Sequence, residues 1–473
     1  MPKRTTIANA GALFQRSPNP SSPSASLRTQ LVRDGLASLA LRVSAACLAL
    51  LLSTILARGL GPEGYGTYSF ILSLVLVAVV PAQLGLPELL VRETARATLA
   101  ADWPLLRGIW RWATVAIIAS SLLTILLGLA FAITFGAESH LLSPTTLLWG
   151  LILIPLISLT RLCGGMLQGL RRIVAGQVPD GIALPAFLLA IVSILLILDS
   201  STRLSPPIVL ALHTASAALA LAMAAWLARR FRPPQITHNT VPVYRARHWL
   251  ASALPLAFVA GMAVVNTQTD TIMLGILMTP EDVGLYRVAA QGSALVSLGL
   301  GAIAMLAMPY YAQFHAAREI GQLQHFATAV ARATLALAIP VALVFVVLGK
   351  PILRSLFGAD YLPAYPALVI LSLSHVIHAY FGLLGPLLNM AGHERVTAAG
   401  IAFASVCNVA FNLIAIPLYG VTGAAGATAA TLVIWNLVLW TAIRRRLGVD
   451  TSAFIFRPTA LPKISGSHDT DHS

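Results

Sequence analysis

The chain has 473 residues, 57% of them hydrophobic and 10% charged, and its mean hydropathy is +0.81. Soluble domains carry about 45–50% apolar and about 25% charged residues, so a water-soluble globule is excluded and a polytopic membrane protein is indicated. A formal net charge of +14 would suit nucleic acid, but the basic residues gather in loops on one side, which speaks against that partner.

Residues 1–35 are rich in Ser, Pro, Arg and Lys and hold no apolar stretch long enough for a signal-peptide core. They read as a disordered basic cytoplasmic tail. A membrane-spanning helix needs about 20 apolar residues, and such runs fall near 36–57, 67–90, 109–136, 145–168, 181–198, 207–228, 250–278, 283–308, 328–349, 363–390, 397–417 and 422–443. The expected fold is all-α, with about twelve transmembrane helices. Six would form an N-terminal lobe over 36–228, and six a C-terminal lobe over 250–446, joined by a cytoplasmic linker at 229–249. The remainder, 447–473, is polar and reads as a frayed cytoplasmic tail. Cys47, Cys163 and Cys407 each fall inside an apolar run, far apart, so neither a disulfide framework nor a metal site is legible.

Orientation follows from the basic residues, because positively charged segments resist translocation. Of the 31 Lys and Arg, 22 lie in the tails and the even-numbered loops, and four, Arg58, Arg203, Lys350 and Arg354, in the odd-numbered loops. Both termini are therefore expected in the cytoplasm, as an even number of spans requires.

An internal repeat follows spans one and seven. Gly61-Pro62-Glu63-Gly64-Tyr65-Gly66-Thr67-Tyr68 matches Thr279-Pro280-Glu281-Asp282-Val283-Gly284-Leu285-Tyr286, sharing Pro, Glu, Gly and Tyr in one register. Each copy reads as a tight structural turn, with Pro62 and Pro280 starting a helix and Gly66 and Gly284 letting the chain re-enter compactly. Glu63 and Glu281 fit a helix N-terminus, where a carboxylate meets the helix dipole. The copies lie six spans apart, so the halves are parallel repeats. Carriers built this way place substrate between the halves and rock them.

The segment Ala57-Arg58-Gly59-Leu60-Gly61-Pro62-Glu63-Gly64-Tyr65-Gly66, with Gln83-Leu84-Gly85-Leu86-Pro87 and Val91-Arg92-Glu93, resembles the first two spans of lipid-linked oligosaccharide flippases. These are the polysaccharide or O-antigen type within the multidrug/oligosaccharidyl-lipid/polysaccharide (MOP) exporter superfamily. The second half resembles it through Asp270-Thr271-Ile272-Met273-Leu274-Gly275 and through Phe357-Gly358 with Tyr361-Leu362-Pro363-Ala364-Tyr365. The resemblance covers about residues 30–446. It implies a MATE-like fold of two lobes around a cationic cavity in a bacterial inner membrane. It also implies transfer of undecaprenyl-pyrophosphate-linked sugar units to the periplasmic leaflet for O-antigen, capsule or exopolysaccharide assembly. The implied partners are the lipid-linked substrate, the bilayer, and a polysaccharide polymerase with its export machinery. No cofactor is implied beyond coupling to H+, Na+ or the membrane potential.

Charges inside a bilayer are costly and mark cavities or function. Asp270 is the acid that lies well inside a span, one helical turn from Asn266. It is read as a proton or sodium site or as a residue positioning a cavity arginine, against the alternative of a buried ion pair or hydrogen bond that only locks helix packing. Arg42 sits about two turns into span one, and Arg161 near the cytoplasmic end of span four beside Ser158, Gly165 and Gln168. With a pyrophosphate as cargo, Arg42 and Arg161 are expected to receive it and Arg287 to stand nearer the exit. Snorkelling to lipid phosphates is the alternative for all three. His375 and His378 share a stripe of span ten and are candidates for the cavity wall. Two histidines alone do not make a zinc site. Asn408 and Asn412 read as packing contacts.

Two other function classes remain in view. A cation-coupled drug exporter of the same superfamily would favour acidic cavity residues, whereas the embedded charges here are mainly arginine. A membrane polymerase or ligase would need a long periplasmic loop or paired acidic motifs, and a nucleotide-driven pump a phosphate-binding loop. The sequence has none of these.

Overall fold

A computed structural model describes residues 25–135, 143–198, 204–236 and 240–454. Its helices, in chain order, are α1 (Ala25–Gln83), α2 (Leu86–Leu99), α3 (Trp103–Phe135), α4 (Pro144–Gly169), α5 (Ile173–Val178), α6 (Leu184–Leu198), α7 (Pro206–Arg230), α8 (Ala246–Leu277), α9 (Pro280–Ala316), α10 (Ile320–Leu356), α11 (Tyr365–Phe381), α12 (Leu384–Met390) and α13 (Glu394–Leu447). A π-turn (Pro179–Ala183) joins α5 to α6, and a 3-10 turn (Ala359–Ala364) leads into α11. No strand occurs among the described residues.

Among the described residues ten helical stretches are long and apolar enough to cross a membrane, α5 running through the π-turn into α6 as one and the 3-10 turn through α11 and α12 as another. Two are too long for one crossing: 44 residues over Ala40–Gln83 and 54 over Glu394–Leu447, or roughly 66 and 81 Å of helix against a hydrocarbon core of about 30 Å. Each is bent into a hairpin by a glycine in a conformation that side chains disfavour, Gly61 (φ 70°, ψ 174°) and Gly420 (φ 55°, ψ −129°). The bend in α1 brings Ser53 Oγ within 2.7 Å of Tyr65 OH, although twelve residues of straight helix would separate them by about 18 Å. The ten stretches thus supply twelve crossing segments, the number the sequence predicts.

Two boundaries differ from expectation. The apolar pattern carries span two through residue 90, but α1 stops at Gln83, where Leu84 (φ 51°) and Gly85 (φ 68°) turn the chain. The separate helix α2 then buries Leu86, Leu89, Leu90 and Ala97. The loop expected before span three is largely this amphipathic helix. Span ten is likewise interrupted at Gly382 (φ 72°), which ends α11 before the short α12.

Helices α1–α7 pack among themselves, as do α8–α13, giving two six-span lobes. Contact between the lobes is carried mainly by α1 and α2 against α8 and α9. The segment between the lobes is itself docked: Val243 N donates to Pro104 O at 3.1 Å, and Trp249 is buried against Trp112, ring centroids 5.4 Å apart.

Residues 448–454, expected to fray, are instead folded back onto the second lobe. The backbone of Asp450 pairs with the Gln324 side chain through both its N–H and its carbonyl. Ala453 N donates to Tyr380 O at 3.0 Å, and Arg332 Nε to Ala453 O at 3.0 Å. Trp440 Nε1 and the N–H and hydroxyl of Ser452 all donate to Asp450 Oδ1.

Candidate functional site

The arginines Arg42 and Arg161, 119 residues apart in sequence, line one cavity of about 410 Å3 in the first lobe. Arg42 comes from the first arm of α1, Glu88 from the first turn of α2, Arg161 and Gln168 from α4, Gln177 from α5 and Asp180 from the π-turn. Glycines make the space. Gly164 on α4 and Gly176 on α5 approach so closely that a Cβ on either would stand 2.6 Å from the other's carbonyl oxygen, and one on Gly165 would stand 2.5 Å from Pro87 O. Small residues at such crossings let backbones touch, and here they leave the polar side chains to edge an open volume.

Arg161 Nε donates to Asp180 Oδ2 at 3.0 Å, each side chain about one-third exposed. Ser38 Oγ donates to Gln177 Oε1 at 3.0 Å. Arg42 is exposed and forms no ion pair among the described residues. With Glu88 and Asp180 opposite two arginines, the formal charge of the lining cancels. Sequence reasoning missed Glu88, Gln177 and Asp180. Pi-turns inside helices gather at functional positions, but Pro179-Asp180-Gly181 reads as an ordinary turn signal.

The second lobe holds a different arrangement. Asp270 on α8 is buried, and its carboxylate accepts four hydrogen bonds. Tyr286 OH donates to Oδ2 at 2.6 Å, Thr428 Oγ1 also donates to Oδ2, and Asn408 Nδ2 and Asn412 Nδ2 donate to Oδ1 at 3.1 and 2.6 Å. No cationic side chain pairs with Asp270 among the described residues. Asn408 Oδ1 and Asn412 Oδ1 are buried without a partner. Asn408 and Asn412, expected to be packing contacts, are therefore part of the carboxylate's shell. Asn266 is exposed one turn away and lines a cavity of about 300 Å3 together with Asn408 and Thr428.

At the opposite end from the arginine-rich loops, the two sequence repeats meet. A Cβ on Gly66 would lie 1.7 Å from Pro280 O, and one on Gly284 2.2 Å from Pro62 O. The repeat glycines thus serve a close helix crossing between lobes rather than a local turn. Arg58 donates to the carbonyls of Leu356 and Ser355, and Tyr361 OH to Ala57 O at 3.0 Å. Deeper in, Ser73 Oγ donates to Gln268 Oε1 at 2.9 Å. Glu63 and Glu281 stay exposed, and the α9 N-terminus is capped by Thr279 with Asp282.

The remaining candidates lie elsewhere. Arg287 is half-buried in the second turn of α9 and lines neither cavity. His378 Nδ1 donates to Asn436 Oδ1 at 2.9 Å and so ties α11 to α13, while buried His375 Nδ1 has no partner. Among the described residues no three His, Cys, Asp or Glu cluster as metal ligands.

Two six-span lobes, joined through α1, α2, α8 and α9, each hold a polar cavity. The family model described as "Polysaccharide biosynthesis protein" matches residues 31–315, and the chain belongs to that family. Two proteins of Haloferax volcanii are similar: a "Probable low-salt glycan biosynthesis flippase Agl15", 26% identical over 170 residues, and a "Probable flippase AglR", 30% identical over 173 residues. The match spans 36% of this chain and 36% of each relative. Two solved structures share the fold. An inward-facing multidrug resistance MATE family transporter superposes with TM-score 0.70 at 14% identity, covering 87% of this chain and 98% of that one. Lipid II flippase MurJ in an inward closed conformation superposes with TM-score 0.68 at 16% identity, covering 87% of both chains. These relatives and neighbours are named as flippases and transporters, not enzymes.

Proposed function

We propose that the protein is a flippase that moves polyprenyl-pyrophosphate-linked oligosaccharide, of the undecaprenyl type, from the cytoplasmic to the periplasmic leaflet of a bacterial inner membrane. The cargo would feed O-antigen, capsule or exopolysaccharide assembly by a polymerase and its export machinery. One observation carries this reading: in a polysaccharide biosynthesis family member, the fold brings Arg42 and Arg161 into one cavity, where an anionic headgroup finds two guanidinium forks. The excess of basic residues at that end supports a cytoplasmic location for it and for both termini. The crossing of Gly66 and Gly284 then closes the periplasmic end, and the lobes rock to open it.

Asp270 is the coupling site in this scheme. A buried carboxylate with four donors, no counter-charge among the described residues and two spare amide oxygens beside it has the acceptor chemistry for a proton or a sodium ion. Purified protein in vesicles, given a fluorescent polyprenyl-pyrophosphate oligosaccharide, should move it between leaflets, and Arg42→Ala with Arg161→Ala should abolish movement. Translocation unaffected by the double substitution would defeat the headgroup assignment. Extrusion of cationic drugs without movement of the lipid would establish the exporter instead.

A further inference from the structure

We infer that Asp180 is a built-in competitor, a carboxylate that occupies Arg161 when no headgroup is bound and must be displaced before a headgroup can engage that arginine. This inference rests on the arginine cavity being the headgroup site.

Four observations converge. Arg161 and Asp180 form a direct ion pair at 3.0 Å inside the cavity, partly exposed on both sides and so open to exchange. Arg42 lines the same cavity without an ion pair among the described residues. The lining as a whole has no net formal charge, so attraction of an anion to the cavity does not by itself explain binding. Asp180 stands on a π-turn, where the helix changes its hydrogen-bond register, and its side chain is about one-third exposed. The carboxylate therefore has room to move aside.

A ligand must exchange with Asp180 to reach Arg161. A single phosphate that does so replaces one anion by another and releases an unpaired carboxylate. A diphosphate makes the same exchange and brings a second phosphate to Arg42, a contact that no residue supplied before. Leu41, Val91 and Ile182 complete the wall and offer apolar contact to a chain attached to the diphosphate. They favour a lipid headgroup over free pyrophosphate.

The test measures binding of farnesyl pyrophosphate, farnesyl phosphate and inorganic pyrophosphate to the full-length protein in nanodiscs. The wild type should prefer farnesyl pyrophosphate to farnesyl phosphate by roughly tenfold or more, about 1.4 kcal/mol. Asp180→Asn should bind both lipids more tightly, by about the same factor, because it lifts the cost of displacing the carboxylate from Arg161, which is common to both. Asp180→Glu should restore the wild-type affinities, which a purely structural role would not predict. Affinities unchanged in Asp180→Asn, while the wild type binds the diphosphate, overturn the role of Asp180 alone. A wild type that binds neither lipid overturns the cavity assignment and this inference with it. Inorganic pyrophosphate binding as tightly as the farnesyl form overturns the lipid source.

Discussion

Tyr68 and Tyr286 occupy the same register of the two repeats, yet they hold different partners: Tyr68 OH lies 2.9 Å from His213 Nδ1, and Tyr286 OH donates to Asp270 Oδ2 at 2.6 Å. The repeat has kept a buried tyrosine on each side while only the second lobe sets a carboxylate against it. The lobes are thus alike in fold and unlike in chemistry. Tyr286→Phe removes one of four donors and should destabilise by about 1 kcal/mol, the typical net worth of a hydrogen bond. Asp270→Leu strands donors from Tyr286, Asn408, Asn412 and Thr428, and should fall in the rare class above about 4 kcal/mol. Thermal unfolding in detergent gives the order directly, and equal losses for the two variants would show that the carboxylate does not organise the cluster.

Coupling through Asp270 has its own test. Asp270→Asn keeps the shape and removes the charge, so translocation should lose its response to pH, sodium or membrane potential while the protein stays folded. Leaflet exchange is followed in vesicles with each gradient imposed separately. Full activity of Asp270→Asn under every gradient would exclude coupling at this residue.

At the lobe crossing, the backbones of Gly66 and Gly284 leave no room for a methyl group. Overpacking of a tight contact costs about 1–3 kcal/mol, and here the strain acts on one conformation, the one with this end closed. Gly66→Ala and Gly284→Ala should each shift the carrier toward the state open at that end and slow transport roughly tenfold or more, since about 1.4 kcal/mol is a factor of ten in population. Cysteine pairs placed across the crossing should cross-link less readily in both variants. Wild-type cross-linking and transport in either one would remove the crossing from the gate.

Much of this was legible from one chain. The twelve apolar runs predict the twelve crossing segments, and the Pro-Glu-x-x-Gly repeat marks the place where the lobes meet. The repeat did not reveal why its glycine is there, because the atoms that would collide with a Cβ belong to the other copy, 218 residues away. Asp270 stands out by the expense of a charge in an apolar run, whereas Asn408 and Asn412 show their role only once α13 packs on α8. Asp180 was hidden by its own neighbours: Pro179 and Gly181 suggest a loop, and the π-turn that holds it leaves no periodic trace. Span two was carried too far because Leu89, Leu90 and Val91 continue an apolar run across the break at Gly85.

Arg42 and Arg161 differ in what they do before substrate arrives, and that should show in their variants. Hydrogen bonds to charged groups are worth about 1.5–3 kcal/mol, so Arg42→Ala should weaken headgroup affinity by roughly 10- to 150-fold. Arg161→Ala loses a similar contact, but in the wild type that contact is offset by giving up the pair with Asp180, so its loss should be the smaller. Arg161→Lys should recover only part, because an ammonium lacks the planar fork. Affinities for farnesyl pyrophosphate rank the four proteins, and a greater loss at Arg161 than at Arg42 would contradict the exchange with Asp180.

The segment behind α13 gives a prediction about acid. Burial alone would raise the Asp450 carboxyl, but hydrogen bonds from Trp440 and Ser452 and the nearby Arg444 outweigh it and hold the group below the ordinary aspartate range. A group whose folded value is depressed contributes stability that is fully present above its unfolded value, near 3.9, and is lost as pH falls through the folded one. Docking of 448–454 should therefore hold at neutral pH and weaken only in strong acid. Trp440 donates to this carboxylate and lies under Arg444, 4.6 Å from ring centroid to guanidinium carbon, so its fluorescence reports the docked state. Against a background in which the other tryptophans are replaced, the signal should titrate below about pH 4 in the wild type. In Asp450→Asn the acid transition should vanish and the segment should be looser at pH 7, seen as faster proteolysis after residue 447. An acid transition that persists in Asp450→Asn would assign it to another carboxyl.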